Sequence, residues 1–216
     1  MRDIILCLIG ESGSGKTTIA KEMFDNGFNV IQSYTTRIPR SNNEWGHTFI
    51  TKEELIKQKQ IKYNPNICDL DSAISFSLQL DDNVVAYTLY KDNYYWTTKD
   101  QYKNKGITFY VVDQQGYEAL KTKINDAEII SIYLQASKET RFNRMLDRYH
   151  EDNESNLEFN HASSQTGIDQ AKERIEYDIC HFYNMQYDYV IDANKDIKYV
   201  LAEINNIITK MSERSA

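Results

Sequence analysis

The chain lacks most of what would mark a secreted, membrane-spanning or nucleic-acid-coating protein. It has three cysteines, Cys7, Cys68 and Cys180, far apart and without a CxxC pair. That leaves no sign of a disulfide framework or a cysteine zinc site. Reduced thiols in a cytoplasm are the expectation. The apolar runs are short. Ile4 to Ile9 is too brief for a signal-peptide core with its cleavage site. No run approaches the roughly 18 residues that a membrane span needs. Positive charge is in deficit, with 25 Lys and Arg against 32 Asp and Glu, a net charge of −7. A basic stripe for nucleic acid is therefore missing, and the sixteen tyrosines do not by themselves make a base-stacking surface. A small anionic ligand stays open, because a local cluster of arginines outweighs the global sign. There is no internal repeat. Proline is nearly absent, and one of the two residues present is Pro39.

What is present fits one folded domain of 216 residues with enough apolar content for a core. "IILCLI" (4–9) predicts a strand apolar on both faces, as in a parallel sheet covered by helices. A glycine-serine turn follows, then a helical pattern from about Lys16 to Phe24. The theme recurs. "ITFYVV" (107–112) precedes a helical pattern from about Gly116 to Lys123, and "EIISIYL" (128–134) precedes one from about Lys138 to Arg148. "YDYVIDA" (187–193) precedes Ile197, Val200, Leu201, Ile204, Ile207 and Ile208 at helical spacing. Strands alternating with helices predict a three-layer α/β/α fold around a mainly parallel sheet. Two segments break the rhythm. Residues 33–97 are polar, rich in Tyr and Thr, and read as an inserted small subdomain; residues 149–166 are hydrophilic and read as a mobile surface loop. The core is then about 1–32, 98–148 and 167–216.

Gly10-Glu11-Ser12-Gly13-Ser14-Gly15-Lys16-Thr17 matches G-x-x-x-x-G-K-[ST] in full, between a strand and a helix. Glycines let the backbone curl so that N–H groups of Gly10, Ser12, Gly13, Ser14 and Gly15, and those of Thr17 and Thr18 beyond, surround phosphate oxygens. Lys16 is expected to reach the β- and γ-phosphates, and Thr17 to ligate Mg²⁺. The next helix offers its positive N-terminus. The loop predicts a nucleoside triphosphate, ATP in a kinase, without saying what becomes of it.

"SYTTRIPR" (33–40) sets hydroxyls beside Arg37 and Arg40. Arginine forks bind phosphate with two prongs, so the segment suggests a second phosphate site. An enzyme that moves a γ-phosphoryl group onto a phosphate must hold two anions.

A P-loop followed by S-x-T-T-R-x-P-R resembles the guanylate kinase family, which transfers phosphate from ATP to GMP. Further segments are similar in order: Gly46, "DNYYWTT" (92–98), "VVDQQG" (111–116), "RFNRMLDR" (141–148), Arg174 in "KERIEYD", and "YVIDAN" (189–194). The resemblance runs from about Ile4 to Ile208. It implies one guanylate kinase-like domain, with 33–97 binding the acceptor and 149–166 as a lid. It implies that Arg37, Arg40 and Tyr95 hold the acceptor phosphate. Ser33 and Thr97 would lie near the base, and Asp113 near the acceptor and the metal. Arg144, Arg148 and Arg174 would close on the triphosphate. With Lys16 and Arg37, those three form the expected catalytic set. ATP, Mg²⁺ and a nucleoside monophosphate are the implied ligands, in a monomer or homodimer.

Two departures bear on the acceptor. The family's guanine-reading Glu lies nine residues before the second Tyr of its Y-Y pair; the same count from Tyr95 reaches Ala86, which accepts no hydrogen bond. Either another carboxylate, from Asp69, Asp71, Asp81 or Asp82, replaces it or the base differs. Phe49 stands where the family has a Tyr. GMP or dGMP is the default acceptor. Another base, a modified nucleotide, a sugar phosphate, or a silent binding module are the alternatives. His150 and His161, eleven residues apart, have weak spacing for a metal.

Overall fold

The computed structural model describes residues 2–39, 44–62, 68–90, 92–153, 161–182 and 185–214. Its elements follow the chain as β1 (Asp3–Ile9), α1 (Lys16–Asp25), β2 (Asn29–Ile31), β3 (Ser33–Thr35), β4 (His47–Phe49), α2 (Lys52–Gln58) and α3 (Leu70–Leu80). Then come β5 (Val84–Tyr90), β6 (Asn93–Thr98), β7 (Ile107–Val111), α4 (Gln114–Lys123), β8 (Ala127–Gln135), α5 (Lys138–Asn153), α6 (His161–His181), β9 (Tyr189–Asp192) and α7 (Ile197–Arg214). A five-stranded sheet has the order β2-β7-β1-β8-β9, and its β2–β7 and β8–β9 pairs are parallel. Helices flank it, as the alternation of apolar strands and helical patterns predicts. Ile5 to Ile9 are fully buried, the mark of a strand covered on both faces.

The chain groups into two compact units, residues 1–7 with 20–130 and residues 8–19 with 131–216. The first unit carries a second sheet, of order β4-β3-β6-β5, in which β3–β6 and β5–β6 are antiparallel and β3–β4 is parallel. Side chains alternate across it. On one face Tyr34 stacks on Trp96, ring centroids 5.3 Å apart. Trp96, Tyr94 and Val84 pack there with Leu55 of α2 and Ile74 and Leu78 of α3. The other face carries Ser33, Tyr95 and Thr97. This region was expected to show no clean helix–strand rhythm; its described residues hold four strands and two helices. Helix α2 starts at a capping box, in which Thr51 accepts from Glu54 N–H and Glu54 reaches back to Thr51 N–H. Helix α3 starts at Asp69, whose side chain accepts from Ser72 N–H at 2.8 Å.

In the second unit, α5 runs on to Asn153 and α6 begins at His161. The expected lid loop of 149–166 is therefore helical at 149–153 and 161–166, and 154–160 lies outside the described residues. Met145, Ala171 and Ile175 form the core between these helices. Gly167 of α6 lies against the ring of Tyr149 of α5; a Cβ there would fall 2.6 Å from a ring carbon. The polar surface of these segments hid the helices, because exposed helical turns need little apolar patterning once their few inward residues are packed.

None of the three cysteines forms a disulfide. Among the described residues, no helix is long and apolar enough to cross a membrane.

Candidate active site

Residues 10–15 form a tight turn between β1 and α1. Gly13 has φ +79°, a conformation that L side chains avoid, and a Cβ there would lie 2.6 Å from the Arg141 carbonyl. The loop closes through Ser14 N–H to the Glu11 carbonyl at 3.1 Å. Helix α1 begins at Lys16 with no acidic residue in its first turn, so its N-terminal dipole is uncompensated. Ser14 is 1% exposed and its Oγ has no hydrogen-bond partner. An orphaned buried hydroxyl inside a glycine-rich cradle fits a phosphate group, whose oxygens would satisfy it. Thr17 and Thr18 are exposed, so the Thr17 hydroxyl is open to a cation held jointly with phosphate oxygens. Among the described residues, no group of three or more His, Cys, Asp or Glu is arranged to hold a metal.

Lys16 Nζ donates to the carbonyls of Gly10 at 2.5 Å and Glu11 at 2.9 Å. Burial lowers its pKa to about 8; Asp178 and Glu11 pull it up, and Arg141 and Arg148 push it down. Arg144 of α5 reaches the same loop, with Nη1 3.5 Å from the Ser14 carbonyl and Nη2 2.8 Å from that of Ala193. Arg148 lies one turn further along α5, and Arg174 lies on α6.

The loop also leans on residues that the sequence reading passed over. Ser12 N–H donates to Asp178 Oδ2 at 2.8 Å, and Ser12 Oγ to Oδ1 at 3.3 Å. Arg141 Nη1 donates to Asp178 at 2.9 Å, and its Nη2 lies 3.3 Å from Glu11 Oε1. Tyr133 donates to Glu11 Oε2 at 3.0 Å while its ring stacks on Tyr187. The available signal was spacing: Asp178 follows Arg174 by four residues on one helix face.

In the first unit, Ser33, His47, Ala86, Tyr87, Tyr95 and Asp113 help to line a cavity of about 170 Å³. Ser33 Oγ and His47 Nδ1 are 3.0 Å apart. Ala86 pairs with Thr97 on β6, just past an irregularity in register between Val84 and Ala86. Such bulges re-aim side chains beside sites. Ala86 is 4% exposed and on the cavity wall, so the count from Tyr95 lands inside the pocket. Asp113 caps α4 by accepting from Gly116 N–H at 2.6 Å, and so starts that helix two residues before the expected Gly116.

Arg37 meets Glu44 with Nη2–Oε1 at 2.7 Å and Nη1–Oε2 at 3.1 Å. Burial opposes its charge, but Glu44 and then Tyr95 more than offset this and raise its pKa. Its guanidinium lies 5.3 Å over the Phe49 ring. Arg40 lies outside the described residues.

Thr97, Asp69, Asp71 and Asp81 have partners within the fold. Thr97 is fully buried and donates to Tyr110 Oη at 2.8 Å, so it stands behind the cavity wall that Tyr110 forms. The aspartates offered as substitute base readers hold the subdomain together instead. Asp69 caps α3. Asp71 binds Lys52 at 2.9 Å and accepts from Tyr94 Oη at 3.0 Å. Asp81 pairs with Lys59 and accepts from Asn83 N–H. None of these, nor exposed Asp82, lines the cavity.

Together, the mainly parallel sheet and its flanking helices, with a glycine-rich loop between β1 and α1, define an α/β protein. No protein-family model matches the chain. It is 26% identical over 220 residues to a guanylate kinase of Rickettsia felis, covering 99% of this chain and 97% of the relative. It is 27% identical over 187 residues to one of Campylobacter jejuni, covering 82% and 80%. Its fold is similar to that of the guanylate kinase of Anaplasma phagocytophilum, with TM-score 0.56 and 20% identity over 97% of this chain and 86% of that one. Along nearly its whole length the chain is thus similar to guanylate kinases.

Proposed function

We propose that the protein is a single guanylate kinase-like domain that transfers the γ-phosphoryl group of ATP to a nucleoside monophosphate, with GMP or dGMP as the default acceptor. The observation that carries this reading is the cavity of the first unit. Ser33 and Tyr95 line it, and Arg37 shares a hydrogen bond with Tyr95. A phosphate loop alone would serve a hydrolase equally well; an arginine–tyrosine clamp beside a base-sized pocket serves an acceptor.

The roles follow from the residues. The loop from Gly10 to Thr18 and Lys16 bind the triphosphate, and Thr17 ligates Mg²⁺. When bound, the cation neutralises phosphate charge. Arg144, with Arg148 and Arg174, stabilises charge on the transferring group. Arg37, Arg40 and Tyr95 position the acceptor phosphate, while Ser33 and Asp113 face the acceptor. Ala86 favours a second reading of the base. A wall without a carboxylate at that point leaves guanine's paired N–H donors weakly matched, which opens the pocket to other bases.

The test is phosphoryl transfer from ATP with Mg²⁺ to GMP, dGMP, IMP, AMP, CMP, UMP and dTMP, with Lys16→Ala as control. Transfer to one or more that is lost in the control supports the kinase. Binding of ATP without transfer to any of them would overturn it in favour of a silent binding module or an acceptor of another class.

A further inference from the structure

Beneath the phosphate loop lies an ionic cluster that the proposed chemistry does not use. Asp178, 3% exposed, accepts from Ser12 N–H, Ser12 Oγ and Arg141. Arg141, 4% exposed, bridges Asp178 to Glu11, and its Nε is buried without a partner. The Arg141 carbonyl crowds Gly13 as well. Two loop residues, Glu11 and Ser12, are thus tied to one residue of α5 and one of α6.

A buried ion pair is a poor source of stability, because desolvating the charges offsets much of their attraction. It is a good source of fixed geometry, because each charged group accepts few arrangements. The elements tied here are the loop and the two helices that carry Arg144, Arg148 and Arg174. We propose that Asp178 and Arg141 are positioning residues for the triphosphate site, clasping Ser12 and Glu11 so that the phosphate loop is held in register with the arginine-bearing helices. The assignment rests on the reading of this loop as the triphosphate site, but not on the identity of the acceptor.

The experiment is titration calorimetry of the full chain with Mg·ATP at neutral pH, without acceptor, alongside melting temperatures without nucleotide. It uses Asp178→Asn, Arg141→Met and the double variant. Asn keeps an acceptor for Ser12 N–H but not the charge. Asp178→Asn is expected to weaken Mg·ATP about tenfold, the loss of one charged hydrogen bond, in a variant that still melts cooperatively without nucleotide. The double variant, with no unpaired buried charge, is expected to fold and still bind weakly, which keeps the test readable if either single variant unfolds. The proposal is overturned if folded variants bind Mg·ATP within twofold of the native protein. It is also overturned if the double variant regains native affinity, since the single-variant defect would then be an uncompensated charge. Binding without transfer to any monophosphate would sink the kinase reading and leave the clasp to be judged by the same titrations.

Discussion

Arg37 and Glu44 form a two-pronged ion pair in which both side chains are largely enclosed, 14% and 15% exposed. The pair holds the guanidinium before any phosphate arrives, and Phe49 lies against it. An arginine already oriented loses less rotamer freedom on binding. Glu44→Gln, which keeps the shape but loses the charge, is therefore expected to raise KM for the acceptor about 3- to 10-fold, with KM for ATP unchanged. Steady-state kinetics with each substrate varied checks this. A fall in acceptor KM would mean that Glu44 competes with the phosphate instead of orienting its partner.

Replacing the fork by a point charge is a different test. Arg37→Lys keeps one positive charge but cannot make two parallel hydrogen bonds. Acceptor kcat/KM is expected to drop about 10- to 100-fold, the scale of one or two charged hydrogen bonds. ATP affinity, measured without acceptor, is expected to stay within twofold. A parallel loss of ATP affinity would place Arg37 outside the acceptor site.

Ala86 occupies the pocket wall where the family resemblance puts a carboxylate. The cavity beside it gives a longer side chain room. Ala86→Glu is expected to raise the ratio of kcat/KM for GMP over IMP at least about tenfold, because a carboxylate rewards the exocyclic amine that IMP lacks. The native ratio sets the baseline. An unchanged ratio in a folded variant would show that the base does not meet this wall.

The same kinetics separate a helix cap from a base reader. Asp69 accepts from Ser72 N–H and Oγ, both at 2.8 Å, at the start of α3. Asp69→Ala is expected to lower the melting temperature while leaving acceptor KM within twofold. A large rise in KM with an unchanged melting temperature would restore Asp69 as a substrate residue.

The parallel sheet and the phosphate loop were legible because their signals are local. A run such as "IILCLI" is buried on both faces whatever surrounds it, and the loop's glycines, lysine and threonine sit at fixed spacing. The second sheet and its helices, between residues 33 and 97, were less legible. Thr51 and Glu54 do spell a capping box, but α2 is only seven residues long. In α3, Phe76 and Leu80 are 63% and 62% exposed, so the apolar residues do not form one clean stripe. The clasp was the least legible. Glu11 and Asp178 are 167 residues apart, and a buried Arg141 looks in sequence like any basic residue on a helix. Only the fold makes them neighbours.

The phosphate-loop lysine gives a prediction in which function and stability oppose each other. Burial brings its pKa from the ordinary 10.5 to about 8. Between those values the unfolded chain holds a proton that the folded chain has lost. Stability attributable to this group therefore rises with pH across that window. Below about pH 8 the charged ammonium is carried at a cost by the folded state. Lys16→Met removes that cost. At pH 7 it is expected to raise the melting temperature while cutting phosphoryl transfer about 10²- to 10³-fold, the scale of one lost electrostatic contact to the transition state. The stability difference between variant and native protein is expected to shrink as pH rises from 8 to 10, which melting curves at matched ionic strength would follow. A variant that is less stable at pH 7, with a gap independent of pH, would mean that the hydrogen bonds of Nζ to Gly10 and Glu11 outweigh the burial of its charge.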